Sequence, residues 1–255
     1  MTIDHGTNAK QRVKRTRKVK EALGEPRNIS DKHLEERKER FVSVKPMNDL
    51  QAEYIRVCKD PKIPVVLATG YAGTSKSYIP ACIAAEQIHL GQINKIYLVR
   101  PAISSSKSLG FFGGSLIEKS KNWLAPILDT LYEKLGKNVV DLYIERGDIE
   151  PIPLETIKGR SLKNCFIIVD ESEDLTDKEF IKAVTRLGTN ATMVFAGDIL
   201  QTDLSGSNGM SLGINMIKDG YEVPWAWIDF NQPSDIVRSD ATRKAILAFQ
   251  KKGLM

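Results

Sequence analysis

Val65-Val66-Leu67-Ala68-Thr69-Gly70-Tyr71-Ala72-Gly73-Thr74-Ser75-Lys76-Ser77 is the stretch that decides the fold. Its first five residues are apolar or small and rich in β-branched side chains, the composition of a strand buried on both faces. A glycine-rich turn follows, and a helical pattern from about Lys76 to Leu90 comes next. Between a strand and a helix, the spacing G-x-x-x-x-G-K-[ST] describes a phosphate-binding loop. Loop amides converge on phosphate oxygens, and the helix dipole adds to the attraction. Gly70, Tyr71, Ala72, Gly73, Thr74, Ser75, Lys76 and Ser77 are therefore candidate nucleotide-binding residues. Lys76 would reach the β- and γ-phosphates, and the Ser77 hydroxyl would ligate magnesium. Ser75 stands where the pattern has its last glycine, and its Cβ restricts the backbone there. The expectation is that nucleotide binding survives and the rate of hydrolysis falls.

Two more strand ends point to the same site. Phe166-Ile167-Ile168-Val169 delivers Asp170 and Glu171 to the C-terminal end of a buried strand, where open α/β sheets bind ligands. Asp170 would hold magnesium through water, and Glu171 would polarise the attacking water. After a further strand, Gly197-Asp198-Ile199-Leu200-Gln201-Thr202-Asp203 offers a carboxylate, Asp198, and an amide, Gln201, that could sense the γ-phosphate. An ordinary turn is the bland reading of that third segment.

Strand and helix patterns alternate around these motifs. Lys95–Arg100, Thr192–Ala196 and Ala226–Phe230 read as strands. Ser115–Leu135, Asp177–Leu187 and Asp240–Lys251 read as helices. Such alternation predicts an α/β fold, a mainly parallel sheet covered by helices on both faces.

Charge divides the 255-residue chain into two parts. It carries 37 Lys and Arg against 32 Asp and Glu, a formal charge of +5. The first 45 residues hold thirteen bases and seven acids, so the remainder is close to neutral. The densest run, Lys10 to Lys20, contains no acid, and such a block stays solvated or touches phosphate. A short charged helix over Asp31–Arg40, capped by Ser30, is expected behind it. Residues 1–43 thus read as a basic arm and 44–255 as one domain. No apolar run is long enough to span a bilayer, and none at the N-terminus could serve as a secretory signal. Cys58, Cys82 and Cys165 are scattered, as are His5, His33 and His89. This usage fits a reducing, cytoplasmic setting and gives no zinc spacing.

Taken in order, several segments resemble the PhoH family of P-loop ATPases, related to the RecA-like core of superfamily-1 helicases. They are GYAGTSKSY at Gly70–Tyr78, LVRPA at Leu98–Ala102, LGFFGG at Leu109–Gly114, IKGRSL at Ile157–Leu162, IIVDE at Ile167–Glu171, TRLG at Thr185–Gly188, GDILQTD at Gly197–Asp203 and DIVRS at Asp235–Ser239. The resemblance covers roughly residues 45–250. It implies a RecA-like P-loop NTPase fold, ATP as substrate and Mg as cofactor. It also gives Gln51 a role, reading the adenine edge. Helicases of this ancestry close the site with an arginine from a second domain, for which this chain has no room. Arg186 or Arg238 would then act in trans within a homo-oligomer, most simply a hexameric ring.

The resemblance further implies action on RNA or single-stranded DNA. Phe111, Phe112 and Trp123 are aromatic residues that could stack on bases, although Trp123, standing in an apolar stripe, reads first as core, and Ser104–Lys107 is a polar loop suited to a backbone contact. The short form looks like the versions carried by bacteriophages. Two positions depart from the family here: its Asp-Glu pair usually continues with alanine and glutamine, and Ser172 and Glu173 stand in their places. An ionised Glu173 would repel phosphate. Two functions remain open, an ATP-driven nucleic-acid remodeller and an ATP-binding switch acting on a protein.

Overall fold

A computed structural model describes residues 41–101, 124–157, 159–199, 201–202 and 208–253. The basic run, the expected Asp31–Arg40 helix, Ser104–Lys107, Phe111, Phe112, Trp123 and Asp203 lie outside the described residues, as does the 115–123 part of the expected Ser115–Leu135 helix.

Six strands form one sheet: β1 (Val65–Gly70), β2 (Lys95–Arg100), β3 (Ile149–Pro153), β4 (Cys165–Asp170), β5 (Ala191–Ala196) and β6 (Trp225–Phe230). Their order is β3-β2-β4-β5-β1-β6, and every adjacent pair is parallel. Among the described residues there are seven α-helices: α1 (Asp49–Lys59), α2 (Tyr78–His89), α3 (Ala125–Leu135), α4 (Lys137–Arg146), α5 (Asp177–Val184), α6 (Gly209–Lys218) and α7 (Asp240–Lys251).

The strands are apolar throughout because both faces are covered. Val66, Ala68, Phe166 and Ile168 share one core with α1, α2, α3 and α4. Val65, Leu67, Ile167 and Val169 share the other with α5 and α6. Each such side chain contributes about 1.5–3 kcal/mol by leaving water. α2 is buried on nearly every side, from Ile79 through Ala85, so it shows no amphipathic stripe. This architecture brings the C-terminal ends of β1, β4 and β5 together, the crevice position expected of an open α/β sheet.

Several elements differ from the sequence reading. α2 starts at Tyr78 because Lys76 and Ser77 still belong to the loop. α5 ends at Val184, since Leu187 leaves the helix to bridge Leu162. β3 carries Pro151 and Pro153 and was not anticipated. It pairs on one side only, with β2, and an edge strand tolerates residues without an N–H. α1, α4 and α6 were likewise unanticipated. In α6 the glycines hide the helical signal, and they have a packing reason. A Cβ on Gly209 would lie 2.4 Å from the Cβ of Phe180 and 3.0 Å from the Thr176 carbonyl oxygen. Phe180 cannot retreat, being buried against Phe195 and Trp225.

Helix propensity alone would make Gly209→Ala stabilising, but the contact with Phe180 reverses the sign. The variant should lose roughly 1–3 kcal/mol, read as a lowered midpoint in urea unfolding. An unchanged or raised midpoint would show that α6 does not approach α5 this closely.

Candidate functional site

The phosphate loop leaves β1 at Gly70, whose φ is 113°. A Cβ there would lie 2.2 Å from the Phe230 carbonyl oxygen, so only glycine allows β1 and β6 to meet at this point. The Tyr71 N–H donates to the same carbonyl at 3.0 Å. From here almost every loop carbonyl is engaged. Lys76 Nζ donates to Gly70 O at 2.6 Å and Tyr71 O at 2.7 Å. Val237 N–H donates to Gly73 O at 3.1 Å. The Gln51 amide donates to Thr74 O at 3.3 Å, and the Tyr54 hydroxyl to Lys76 O at 2.8 Å. These bonds occupy carbonyl oxygens and leave amides as what the loop offers a ligand, the requirement for an anion site. Ser75 has φ 73°. That left-handed backbone costs a residue with a Cβ about 1–2 kcal/mol, which is the physical content of its departure from glycine.

Lys76 is half-buried, and burial lowers its pKa; Asp198 and Asp170 are among the acids that oppose the shift. Its ammonium rests on the loop's own carbonyls, where a phosphate oxygen would compete for it. Next to it, Ser77 Oγ donates to Asp170 Oδ1 at 2.6 Å. Burial raises the Asp170 pKa, and the Ser77 hydroxyl opposes this. A hydroxyl and a carboxylate oxygen this close, beside a phosphate loop, are the hard oxygen donors that magnesium takes. Among the described residues no group of three or more His, Cys, Asp or Glu could hold a metal by itself. The pair therefore suits an ion shared with phosphate oxygens rather than an all-protein cage.

Glu171 follows in left-handed backbone, φ 51° and ψ 47°, and its Oε1 lies 3.1 Å from Arg100 Nη2. Glu173 is 5% exposed, and its Oε2 accepts from the Asp198 N–H at 3.2 Å. Burial first, and then its hydrogen bond to the Glu171 side chain, push the Glu173 pKa up to about 9. Burial and the neighbouring Glu171 thus both disfavour the ionised, repelling Glu173 expected from the sequence, and a protonated Glu173 would be able to donate a hydrogen bond as an amide does. The sequence carried no signal of this burial.

A cleft of about 490 Å³ gathers the site. Ala72 to Ser77, Asp170, Glu171, Asp198, Gln201 and Arg238 all line it. Gln201 Nε2 donates to Asp198 Oδ2 at 2.8 Å. Arg238, expected to act on a neighbouring copy, lies with its aliphatic stem beside Gly73 of its own loop. Arg186 does not join them. It is exposed, and its carbonyl accepts from Leu162 N–H ahead of β4 and β5, at the opposite end of the sheet. Gly70 and Tyr71 hold Lys76 from outside the cleft lining. Gln51 is also absent from the lining. It is buried, with its Oε1 accepting from Met47 N–H at 2.9 Å, so in this structure its amide braces the loop. Residues missed by the sequence reading include Tyr54, Arg100 and a wall from α3 made by Pro126, Ile127 and Thr130. Tyr54 was findable, one helical turn beyond Gln51.

The Glu173 proton has a consequence for stability. Below about pH 4.5 folded and unfolded chains both hold it; between there and about 9 only the folded chain does, so stability drains away as pH rises through that window. Glu173→Gln removes this drain. Its stability advantage over the native chain should therefore grow by roughly 1 kcal/mol per pH unit between pH 5 and 8, measured by denaturant unfolding at both. Parallel pH curves would mean that Glu173 is ionised in the folded state.

Comparison with known proteins agrees with this geometry. The family model described as PhoH-like protein matches residues 43–250. A PhoH-like protein of Bacillus subtilis is 35% identical over 219 residues, covering 84% of this chain and 66% of its own. One from Synechocystis is 33% identical over 203 residues, covering 79% and 60%. Protein PhoH of Escherichia coli K12 is 30% identical over 177 residues, covering 69% and 49%. The chain thus spans about half to two thirds of the length of the relatives it matches. With an all-parallel sheet of RecA-like P-loop type and a family match over most of its length, the chain belongs to the PhoH-like family of P-loop nucleotide-binding proteins.

Proposed function

We propose that this chain binds ATP with magnesium, hydrolyses it, and uses the cycle to remodel RNA or single-stranded DNA. The observation that carries the reading is the convergence of the phosphate loop, the Ser77–Asp170 pair, Glu171, Gln201 and Arg238 on one cleft. Loop amides and Lys76 would bind the β- and γ-phosphates. Ser77 and Asp170 would hold magnesium, which when bound neutralises charge between those phosphates. Glu171 would orient the attacking water and take its proton. Gln201, tied to Asp198 at the rim, would report the presence of the γ-phosphate to neighbouring segments. Arg238 would stabilise transition-state charge in cis.

Arg186 is left as the residue that a second copy could receive, since it is exposed at the far end of the sheet. A head-to-tail contact joining that end to a neighbour's cleft closes into a ring, and a hexamer is the form proposed. Nucleic acid as the target rests on the helicase-like resemblance and on the basic character of residues 1–43. Ser75 favours a second reading, an ATP-binding switch with slow turnover, because its strained backbone sits just before Lys76.

The two readings part in one assay. Steady-state ATPase activity of the full chain should rise severalfold with single-stranded RNA. Glu171→Gln should bind ATP normally yet lose about 100-fold or more in turnover. Basal turnover indifferent to RNA would favour the switch, and normal turnover by Glu171→Gln would remove Glu171 as the base.

A further inference from the structure

Glu171 carries the most demanding role in the cleft and has the least obvious means of staying in place. Its side chain is 45% exposed, and its backbone is left-handed at the point where β4 ends. Such a conformation persists only where the surroundings over-determine it. A half-exposed glutamate also has rotamers to spare, whereas proton abstraction from water tolerates little displacement.

Two neighbours supply the restraint. Arg100 is the last residue of β2, the strand beside β4, in the register Val99↔Val169. Its Nη2 lies 3.1 Å from Glu171 Oε1, with the Arg100 side chain 23% exposed. On the other side stands the Glu173 side chain, fixed by the Asp198 N–H and close enough to Glu171 to interact with it. Arg100 is not among the residues that line the cleft. Its ion pair in the site is with Glu171, and its charge is also felt by Asp170.

We propose that Arg100 is a positioning residue for ATP hydrolysis: its guanidinium ties the Glu171 carboxylate to the end of β2 and fixes it in line for the attacking water. The inference rests on the reading of Glu171 as general base. An ion pair with this much exposure adds little to folding stability, so its effect lies in geometry, where small misplacements cost large factors in rate. Arginine suits the task because its planar fork is stiff. Lysine keeps the charge on a flexible stem and would do the work less well.

The test uses the full chain with Arg100→Gln, Arg100→Lys and Glu171→Gln, the first also combined with the last. Arg100→Gln should lower kcat about 10- to 100-fold, with KM and Kd for ATP within about twofold and the unfolding midpoint nearly unchanged. Arg100→Lys should recover part of the loss. In the Glu171→Gln background, Arg100→Gln should cost little further, because its route through the Glu171 carboxylate is gone. An unchanged or increased kcat in Arg100→Gln overturns the proposal, as does an equal loss in both backgrounds. Carbon-13 relaxation of the Glu171 carboxyl separates this failure from failure of the general-base reading. Arg100→Gln should loosen that carboxyl whether or not ATP is hydrolysed, and unchanged relaxation means there is no tether.

Discussion

The structure depends on how the carbonyl oxygens of the phosphate loop are satisfied. A tight loop of left-handed residues exposes polar backbone on both sides, and an unpaired buried carbonyl is costly. Here the carbonyls are claimed from three directions: by Lys76 from within, by Gln51 and Tyr54 of α1, and by Val237 after β6. The close approach of Gly70 to Phe230 brings that last segment into reach. α1 and the segment after β6 are therefore parts of the site although little of either touches the cleft. The loop is preset to present amides before any ligand arrives, and this preorganisation is what makes electrostatic binding effective.

A similar economy governs the acids. Asp170, Glu171, Glu173 and Asp198 crowd one cleft with a single half-buried lysine, Lys76, and four carboxylates there would repel polyphosphate and one another. Burial favours a proton on Glu173, Arg100 pairs Glu171, and the Ser77 hydroxyl and Gln201 amide bond Asp170 and Asp198. Burial thus works against the charge that made glutamate in place of glutamine look damaging in the sequence.

The sequence showed those features whose cause is local. Continuous apolar runs marked β1, β2, β4 and β5, and the strand-loop-helix context identified the phosphate loop. The remainder depended on tertiary facts. β3 was hidden because its prolines are tolerable only at an edge, and α6 because its glycines make room for Phe180. Arg100 lay inside a quoted motif, yet its role follows from β2 and β4 being neighbours. The Gln51 amide was expected at the base edge, but burial turns it toward Thr74. Arg186 and Arg238 looked equivalent along the chain. Topology sends one to the cleft and the other to the far end of the sheet.

On this account the loop holds a nucleoside triphosphate through its amides and Lys76. Calorimetric titration of ATP with magnesium into the full chain and into Lys76→Ala addresses it most directly. Saturable one-to-one binding by the native chain, lost in Lys76→Ala, is the predicted result. Equal binding by both proteins, or none by either, would contradict it.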